Sequence, residues 1–236
     1  MKNLHFMQWN CRGLLPNIDD VNYFMDDLRP IALALQETHL QAHHTQILRR
    51  HQVFRKDRFN STSGGVAVIV QSGVACSEVP LCTPLEAVAV RVLLDRLITV
   101  VSIYLPPNVP LHLHDLQGLV GQLPQPFLIL GDFTAHHPMW GSARLDSRGR
   151  VIERFLLSSQ LCLFNSREPT FFSSAHNSFT SIDLSIASPS VLSCFSWQVL
   201  NNPFGSDHFP IVLEIIQSSG DVEIGRGLNN ARPLET

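Results

Sequence analysis

Polar side chains stand at the tips of several apolar segments of the sequence, a position that suits hydrolytic chemistry. Asn10 ends the first apolar segment, Glu37 follows the second, and Asp132 follows four apolar residues and a glycine. Asp183 lies inside an alternating segment, and His208 precedes another. Singly, each position also fits an ordinary loop or sheet-edge residue. Together they are the leading candidate site, because burying such groups costs free energy unless they are paired or bind an ion.

The chemistry of these candidates favours a hard divalent cation. Asn10, Glu37 and Asp132 offer amide and carboxylate oxygens, and the set contains no thiolate. Such donors suit Mg²⁺ or Mn²⁺, which keep part of their water shell and also bind substrate phosphate. Asp183 and His208 add an acid-base pair. The residues therefore predict metal-assisted phosphoester hydrolysis.

Motifs for other reaction classes are incomplete or absent from the sequence. His39, His43 and His44 have a spacing compatible with metal ligation on a helix, but no His-Glu-x-x-His pattern accompanies them, which disfavours zinc. The sequence has neither a Gly-x-x-x-x-Gly-Lys-Ser/Thr phosphate loop nor a Gly-x-Ser-x-Gly nucleophile elbow. Nucleotide-dependent enzymes and serine hydrolases are therefore disfavoured.

The composition is that of a globular α/β protein with no general affinity for nucleic acid. The 236 residues are 44% hydrophobic and 16% charged, and the formal net charge of −3 means that any DNA contact must be local. Five cysteines without a Cys-x-x-Cys pair indicate a reducing compartment. With no signal-peptide core and no apolar run of membrane-spanning length, we expect an intracellular protein that needs no membrane.

The apolar patterns predict nine strands and three helices in a single domain. The strands are expected at 4–9, 31–35, 65–71, 86–93, 97–104, 126–131, 179–186, 194–200 and 209–216, and the helices at 19–28, 111–122 and 148–159. Because the helices do not alternate regularly with the strands, a mixed sheet arrangement is favoured over a Rossmann fold. The domain is expected to cover residues 1–216, with 217–236 as a polar tail or the start of a linker.

Seven short motifs follow one another along nearly the whole chain. They are WNCRGL at 9–14, QETH at 36–39, SGGVA at 63–67, SIYLPP at 102–107, GDFTAHHPMWG at 131–141, SIDL at 181–184 and SDHFPI at 206–211. In this order they resemble the exonuclease/endonuclease/phosphatase superfamily, and within it the apurinic/apyrimidinic-endonuclease-like domains of non-LTR (LINE-type) retrotransposons. The string HHPMWG at 136–141 resembles the endonucleases of jockey- and I-type elements, and not repair enzymes or phosphatases.

The resemblance implies both a fold and an activity. The implied fold is a four-layered α/β sandwich, with two mixed β-sheets packed face to face and helices outside. The implied activity is that of a Mg²⁺-dependent DNA endonuclease, which nicks one strand of double-stranded target DNA to leave 3′-hydroxyl and 5′-phosphate ends. The 3′-hydroxyl would prime target-primed reverse transcription in the nucleus, and the implied partner is the rest of a polyprotein that includes a reverse transcriptase.

The resemblance also divides the site residues between two roles. The metal side, for Mg²⁺ or alternatively Mn²⁺, is Glu37, Asn10 and Asp207. The catalytic side is Asp132, His208, Asp183, Tyr104 and Thr134.

Each residue on the catalytic side has an implied task. Asp132 orients and deprotonates the attacking water, and His208, held by Asp183, donates a proton to a nonbridging phosphate oxygen. Tyr104 adds a phosphate hydrogen bond. Where the family has Gly-Asp-Phe-Asn, this chain has Thr134 in place of the asparagine. Loss of one preorganised donor is expected to lower the rate on the order of 10²–10³-fold.

Two segments and one arginine are candidate DNA contacts. The first segment is the basic stretch at 49–58, and the second is the loop near 170–180. Each segment fits an ordinary surface equally well or better. The candidate residues are Arg12, Arg49, Arg55, Lys56, Arg58, Phe171, Phe172 and His176.

Two alternatives to an active DNA endonuclease remain open from the sequence. One is a metal-dependent phosphoesterase that acts on a small lipid or inositol phosphate. The other is a DNA-binding module whose catalysis is impaired by Thr134. The sequence does not specify the target site, because base readout depends on loop geometry.

Overall fold

The computed structural model describes residues 4–45 and 47–216, which form two six-stranded sheets and a small hairpin. In chain order the strands are β1 (His5–Asn10), β2 (Ala32–Gln36), β3 (Gln52–Lys56), β4 (Val66–Val70), β5 (Cys76–Val79), β6 (Glu86–Leu93), β7 (Leu97–Tyr104), β8 (Phe127–Asp132), β9 (Cys162–Leu163), β10 (Phe171–Ser173), β11 (Ser178–Thr180), β12 (Asp183–Ala187), β13 (Phe195–Val199) and β14 (Ile211–Ile215). The helices are α1 (Ile18–Tyr23), which continues as a wider turn over Phe24–Leu28, α2 (Leu113–Val120) and α3 (Ser147–Ser158). Short 3₁₀ turns cover Pro138–Trp140 and Pro189–Cys194.

Both large sheets are mixed. The first has the order β13-β14-β1-β2-β4-β3, and the second has the order β5-β6-β7-β8-β12-β9. Within them β1 and β2 run parallel, as do β7 and β8, and the other pairs are antiparallel. The remaining pair, β10 and β11, forms the separate hairpin.

Three apolar clusters fill the spaces between the layers. Val68 and Leu130 belong to the cluster between the two sheets. Trp9 and Phe24 belong to the cluster under α1, and Phe155 belongs to the cluster under α2 and α3. Burial on both faces explains why the central strands are almost continuously apolar. The four-layered sandwich expected from the motifs is confirmed.

The helices begin and pack as their sequences predict. The side chain of Asp146 caps α3 by accepting a hydrogen bond of 2.6 Å from the amide of Gly149, which satisfies a free donor of the first turn. Ile152, Phe155 and Leu156 then recur at helical spacing and are buried against the second sheet. The predicted helices at 19–28 and 148–159 are confirmed, and α2 is shorter than the predicted 111–122.

The strand predictions were wrong in two respects. The segment 179–186 is divided between β11 and β12, because β11 pairs with β10 in the hairpin while β12 pairs with β8 in the second sheet. Strands β3, β5, β9 and β10 were not predicted. All four are short and half-exposed: β3 and β5 contain polar residues that hide the apolar alternation, whereas β9 and β10 have two and three residues, too few to show it.

Strand direction brings the candidate residues to one edge of the sandwich. The parallel pair β1 and β2 ends at Asn10 and just before Glu37. Strand β8 ends at Asp132, and its antiparallel neighbour β12 begins at the facing residue Asp183. Strand β14 is antiparallel to β1 and follows His208, so the loop before it lies at the same edge.

Buried polar side chains link the two sheets beneath this edge. Gln36 Nε2 donates to Ser102 Oγ at 2.9 Å and reaches the carbonyl of Leu130 at 3.4 Å. On the other side, Ser185 Oγ donates to Gln8 Oε1 at 2.8 Å. These bonds fix the first sheet against the second close to the candidate site, because each residue lies within two positions of a strand end.

The structure also bears on the expectations about the cysteines and membrane-spanning segments. All five cysteines lie in the described part of the chain, and none of them forms a disulfide. None of the described helices is long and apolar enough to cross a membrane. The predicted domain limit at residue 216 stays a prediction, and the predicted tail at 217–236 lies outside the described residues.

Candidate active site

An aspartate-histidine pair is buried at the site edge. His208 Nδ1 lies 2.9 and 3.0 Å from the two carboxylate oxygens of Asp183. Thr170 Oγ1 donates to the same carboxylate at 2.6 Å and accepts from the amide of Asp183 at 3.1 Å. Asp183 therefore accepts the Nδ1 proton of His208 and fixes the ring with Nε2 directed toward Asp132, whose Oδ2 is 4.0 Å away.

Burial and charge shift the pKa values of the facing groups. Burial alone would lower the pKa of His208, but the negative charge and hydrogen bonding of Asp183, with further charge from Asp132 and Asp207, raise it to about 9. Burial, followed by the charge of Asp183, raises the pKa of Asp132 above its usual range, although His208 and the Thr134 amide oppose this. His208 is therefore cationic at neutral pH, and Asp132 is a stronger base than an exposed aspartate.

Asn10 joins the residues contributed by the two sheets. Its Nδ2 donates to Glu37 Oε1 and to Asp132 Oδ2, both at 2.9 Å. Its Oδ1 accepts from the amide of Arg12 at 3.1 Å. In this arrangement the Asn10 amide orients the two carboxylates, and its direct ligation of a metal stays a prediction.

The donor set fits a hard cation. One ligand atom each from Glu37, Asp132 and His208 lies within 4.8 Å of the others. Beside them, Asp207 Oδ1 is buried and accepts no hydrogen bond from the described residues, although His208 Nε2 lies 4.0 Å from it, and the other oxygen of Asp207 pairs with Arg12. A buried carboxylate oxygen that accepts no hydrogen bond can still ligate a cation. The predicted oxygen-rich metal site is therefore compatible with these residues.

Tyr104 lies beside this donor set as a neutral hydrogen-bond donor. Burial, followed by the charges of Glu37 and Asp132, raises the pKa of Tyr104 well above its usual range. The Arg58 guanidinium lies 5.7 Å from the ring centroid and packs on the aromatic face. Tyr104 thus keeps its proton at neutral pH, and its ring is held by Arg58.

Thr134 adopts a backbone conformation that its side chain disfavours. Its φ is 41°, in the left-handed region, where a β-branched residue is strained. Both its amide, at 2.8 Å, and its hydroxyl, at 3.1 Å, donate to Asp132 Oδ1. The hydroxyl is therefore engaged with Asp132.

The predicted DNA contacts in the basic stretch stay predictions, and three of the four side chains have partners within the fold. Residues 52–56 form the edge strand β3. Arg55 donates to the carbonyls of two residues in the preceding loop, Lys56 donates to two carbonyls before β6, and Arg58 pairs with Glu86. These three side chains are engaged within the fold, whereas Arg49 is exposed.

Three of the other predicted contacts, Arg12, Phe171 and His176, line the cleft that holds the catalytic candidates. Phe171 packs on the His208 ring with 4.7 Å between centroids, which makes it a support for that histidine. Phe172 packs on Phe179 within the hairpin. His176 and Arg12 line the same cleft, of about 660 Å³, as the catalytic candidates.

Sequence reasoning missed two groups that the structure brings to the site. Thr170 holds Asp183, but it precedes Asp183 by 13 residues and belongs to no recognised motif. His136 lies inside a quoted motif and Arg144 lies just beyond it, yet neither received a role. Both line the catalytic cleft, and Arg144 hydrogen-bonds His136. Only the fold brings these residues together.

Comparison with known proteins gives relatives for the whole described domain. Residues 98–212 match the family described as Endonuclease-reverse transcriptase. The chain is 28% identical over 212 residues to the RNA-directed DNA polymerase from mobile element jockey of Drosophila melanogaster, a match that covers 86% of this chain and 23% of that protein. It is 23% identical over 175 residues to the probable RNA-directed DNA polymerase from transposon X-element of the same species, covering 72% of this chain and 19% of that protein.

Solved structures share the fold. The endonuclease domain of TRAS1, a telomere-specific non-LTR retrotransposon, superposes with a TM-score of 0.78 at 21% identity, covering 90% of this chain and 98% of that chain. The AP endonuclease LMAP from Leishmania major superposes with a TM-score of 0.71 at 15% identity, covering 91% and 88%. The chain thus has an AP-endonuclease-like fold and is homologous to part of the jockey and X-element proteins of non-LTR retrotransposons, and its residues 98–212 match the Endonuclease-reverse transcriptase family.

Proposed function

We propose that this domain is a Mg²⁺-dependent endonuclease that nicks one strand of double-stranded DNA and leaves 3′-hydroxyl and 5′-phosphate ends. The observation that carries the proposal is the pair formed by Asp132 and His208. The two side chains face each other with 4.0 Å between Oδ2 and Nε2, and Glu37 lies beside them. A base and a cationic acid side by side in the lining of one cleft suit in-line hydrolysis of a phosphodiester.

Asp132 is the general base in this proposal. Asn10 and Thr134 hold its carboxylate by hydrogen bonds, so it is oriented before substrate arrives. The raised pKa of Asp132 makes it better able to take a proton from an attacking water near neutral pH. Glu37, with Asp207 and Asn10 nearby, would hold a Mg²⁺ ion, which supplies Lewis-acid polarisation of the phosphate and charge neutralisation at the leaving 3′-oxygen.

His208 acts on a nonbridging oxygen of the phosphate. It is cationic at neutral pH because Asp183 raises its pKa, and its free Nε2 donates toward a nonbridging oxygen as negative charge grows there. Tyr104 keeps its proton and adds a second neutral donor. Both donors are held by buried contacts, so little reorganisation is needed during the reaction.

The relatives support DNA as substrate and a larger protein as context. The chain corresponds to 23% of an RNA-directed DNA polymerase from mobile element jockey. A nuclease domain in such a protein would generate the 3′-hydroxyl that primes reverse transcription of the element's RNA at the target. We therefore propose the rest of a reverse-transcriptase polyprotein as partner and the nucleus as the place of action.

A plasmid assay tests the proposal. The purified chain, His208→Ala and Thr134→Asn are incubated with supercoiled DNA and Mg²⁺, and conversion to the open circle is followed with EDTA as a control. We expect nicking that is lost in His208→Ala and in EDTA, with ends that a DNA polymerase extends directly. Inactivity of both the chain and Thr134→Asn on DNA, together with release of phosphate from small phosphoesters, would overturn it in favour of the phosphoesterase alternative.

Activity that appears only in Thr134→Asn would have a different meaning. It would show that the chain keeps the site and the DNA specificity of an endonuclease but is impaired by the hydroxyl at position 134. The nicked product of Thr134→Asn would still identify the substrate, so the two alternatives are distinguished by the same set of variants.

A further inference from the structure

A relay of hydrogen bonds holds one arginine at the wall of the catalytic cleft. Arg144 Nη2 lies 2.8 Å from His136 Nε2, and His136 Nδ1 lies 3.3 Å from Thr180 Oγ1. Ser142 Oγ is 3.1 Å from the Thr180 hydroxyl and donates to the carbonyl of Ser181 at 2.9 Å. The relay joins the segment after the catalytic Asp132 to the β10-β11 hairpin.

The donors and acceptors of this relay have a single consistent direction. An arginine has no acceptor, so Arg144 donates to His136 Nε2 and the imidazole proton is on Nδ1. The Nδ1 proton then points to Thr180, the Thr180 proton to Ser142, and the Ser142 proton to the Ser181 carbonyl. Burial first, and the charge of Arg144 second, lower the pKa of His136, which keeps its ring neutral and able to accept.

The charge of Arg144 is not neutralised within the described part of the chain. The arginines that line the cleft there are Arg12 and Arg144. Arg12 pairs with Asp207, whereas Arg144 is exposed and has His136 as its hydrogen-bond partner. Its Nε and Nη1 have no partner among the described residues. The cleft also contains the carboxylates of Glu37 and Asp132, so a polyanion that enters it needs a cation on another wall.

These contacts point to a phosphate subsite. We propose that Arg144 binds a backbone phosphate of the DNA next to the scissile phosphodiester, and that His136 is the positioning residue that holds the guanidinium over the cleft. The assignment rests on the proposed function. Nη2 carries two protons and gives one to His136, so its second proton and the proton of a neighbouring guanidinium nitrogen remain for two phosphate oxygens, the paired contact in which arginine binds phosphate best.

The salt dependence of DNA binding tests the subsite. Equilibrium binding of a labelled duplex is measured in EDTA, without cleavage, between 50 and 200 mM salt. Loss of one phosphate contact makes the slope of log K against log salt less negative by about 0.9. Between 50 and 200 mM salt, the fall in the affinity of Arg144→Ala for DNA should therefore be about 3.5-fold smaller than the fall for the parent chain. Arg154→Ala, an exposed arginine on α3 outside the cleft, is the matched control and should keep the parent slope.

Two further variants separate charge from positioning. Arg144→Lys should keep the slope but bind more weakly, because lysine cannot form the paired contact. His136→Gln keeps an acceptor for the guanidinium and should bind like the parent, whereas His136→Leu should bind several-fold more weakly at an unchanged slope. In nicking assays Arg144→Ala should raise KM and leave kcat nearly unchanged, because the contact is present in both ground and transition states.

The outcomes for the subsite and for the proposed function are distinct. A slope for Arg144→Ala equal to that of the parent, an equal loss in Arg154→Ala, or no binding of DNA by the parent would overturn the subsite. Binding that depends on Arg144 without any nicking by the parent or Thr134→Asn would support the subsite and refute the endonuclease.

Discussion

Replacement of Thr134 by asparagine should improve both the stability and the activity of the domain. Thr134 has a φ of 41°, and a residue with a side chain pays about 1–2 kcal/mol to enter the left-handed region. Asparagine enters this region more readily than a β-branched residue. We therefore expect Thr134→Asn to raise the free energy of unfolding by about 1 kcal/mol, or Tm by about 2–4 °C for a domain of this size.

The gain in activity has a separate cause. In the structure the Thr134 hydroxyl is hydrogen-bonded to Asp132 Oδ1 at 3.1 Å, and its short side chain leaves no second donor for water or phosphate. An asparagine amide has two protons, so it can hold Asp132 with one and present the other. The expected increase in kcat is on the order of 10²–10³-fold, the size seen for one preorganised donor.

Thr134→Gly separates these two causes. Glycine relieves the backbone strain but supplies no donor, so it should raise Tm and leave kcat unimproved. Thermal unfolding in EDTA and single-turnover plasmid nicking are the assays. If Thr134→Gly nicks as fast as Thr134→Asn, the donor explanation is refuted. If neither variant unfolds at a higher temperature than the parent chain, the strain explanation is refuted.

Three further predictions concern the groups around this loop. First, because the folded pKa of His208 is raised from 6.5 to about 9, its ion pair stabilises the fold below pH 6.5 and this contribution is lost as the pH rises to 9. In EDTA the difference in unfolding free energy between the parent and His208→Asn should therefore shrink by about 3 kcal/mol over this range, and a constant difference would contradict the raised pKa. Second, Asp183→Asn should lower kcat by about 10²–10⁴-fold. It should also lower the pH at which activity falls on the alkaline side, because the Asp183 carboxylate raises the pKa of His208; an unchanged alkaline fall would refute this role. Third, Gln36→Met should change the unfolding free energy by no more than about 1 kcal/mol, because it removes a buried unpaired oxygen together with the hydrogen bond to Ser102. The same variant should nick DNA more slowly, and full activity would show that the link from Gln36 to Ser102 does not align the site.

Much of the fold and most of the candidate site residues could be predicted from the sequence. Polar residues at the ends of long apolar strands gave Asn10, Glu37, Asp132 and His208, and the structure brings all four together. The signal was strong because these strands are buried on both faces, so the change from apolar to polar residues is abrupt. Asp183 was ambiguous, because in an alternating strand an inward-facing carboxylate looks like an outward-facing one.

The rest of the site depends on packing between distant segments. The contact of Thr170 with Asp183 requires the chain to turn through the hairpin and return beside β8. The contacts of the basic stretch within the fold were not predicted, because Glu86, the partner of Arg58, lies 28 residues away on the opposite sheet. Counting charges along a sequence does not reveal such a pairing, because the order of the strands in the fold decides which side chains an arginine meets.

The candidate site is divided between two sheets, which explains why the domain keeps buried polar side chains that link the sheets at a cost in stability. Gln8 Nε2 and Gln36 Oε1 are buried without partners in the described structure, which an apolar core would avoid. Both residues lie within two positions of the strand ends that carry Asn10 and Glu37, and both reach across to the second sheet, which carries Asp132. Apolar packing alone tolerates small sliding of one sheet over another, whereas a directional hydrogen bond does not. The links therefore hold Glu37 and Asp132 at a fixed separation, as the proposed hydrolysis requires, at some expense of stability.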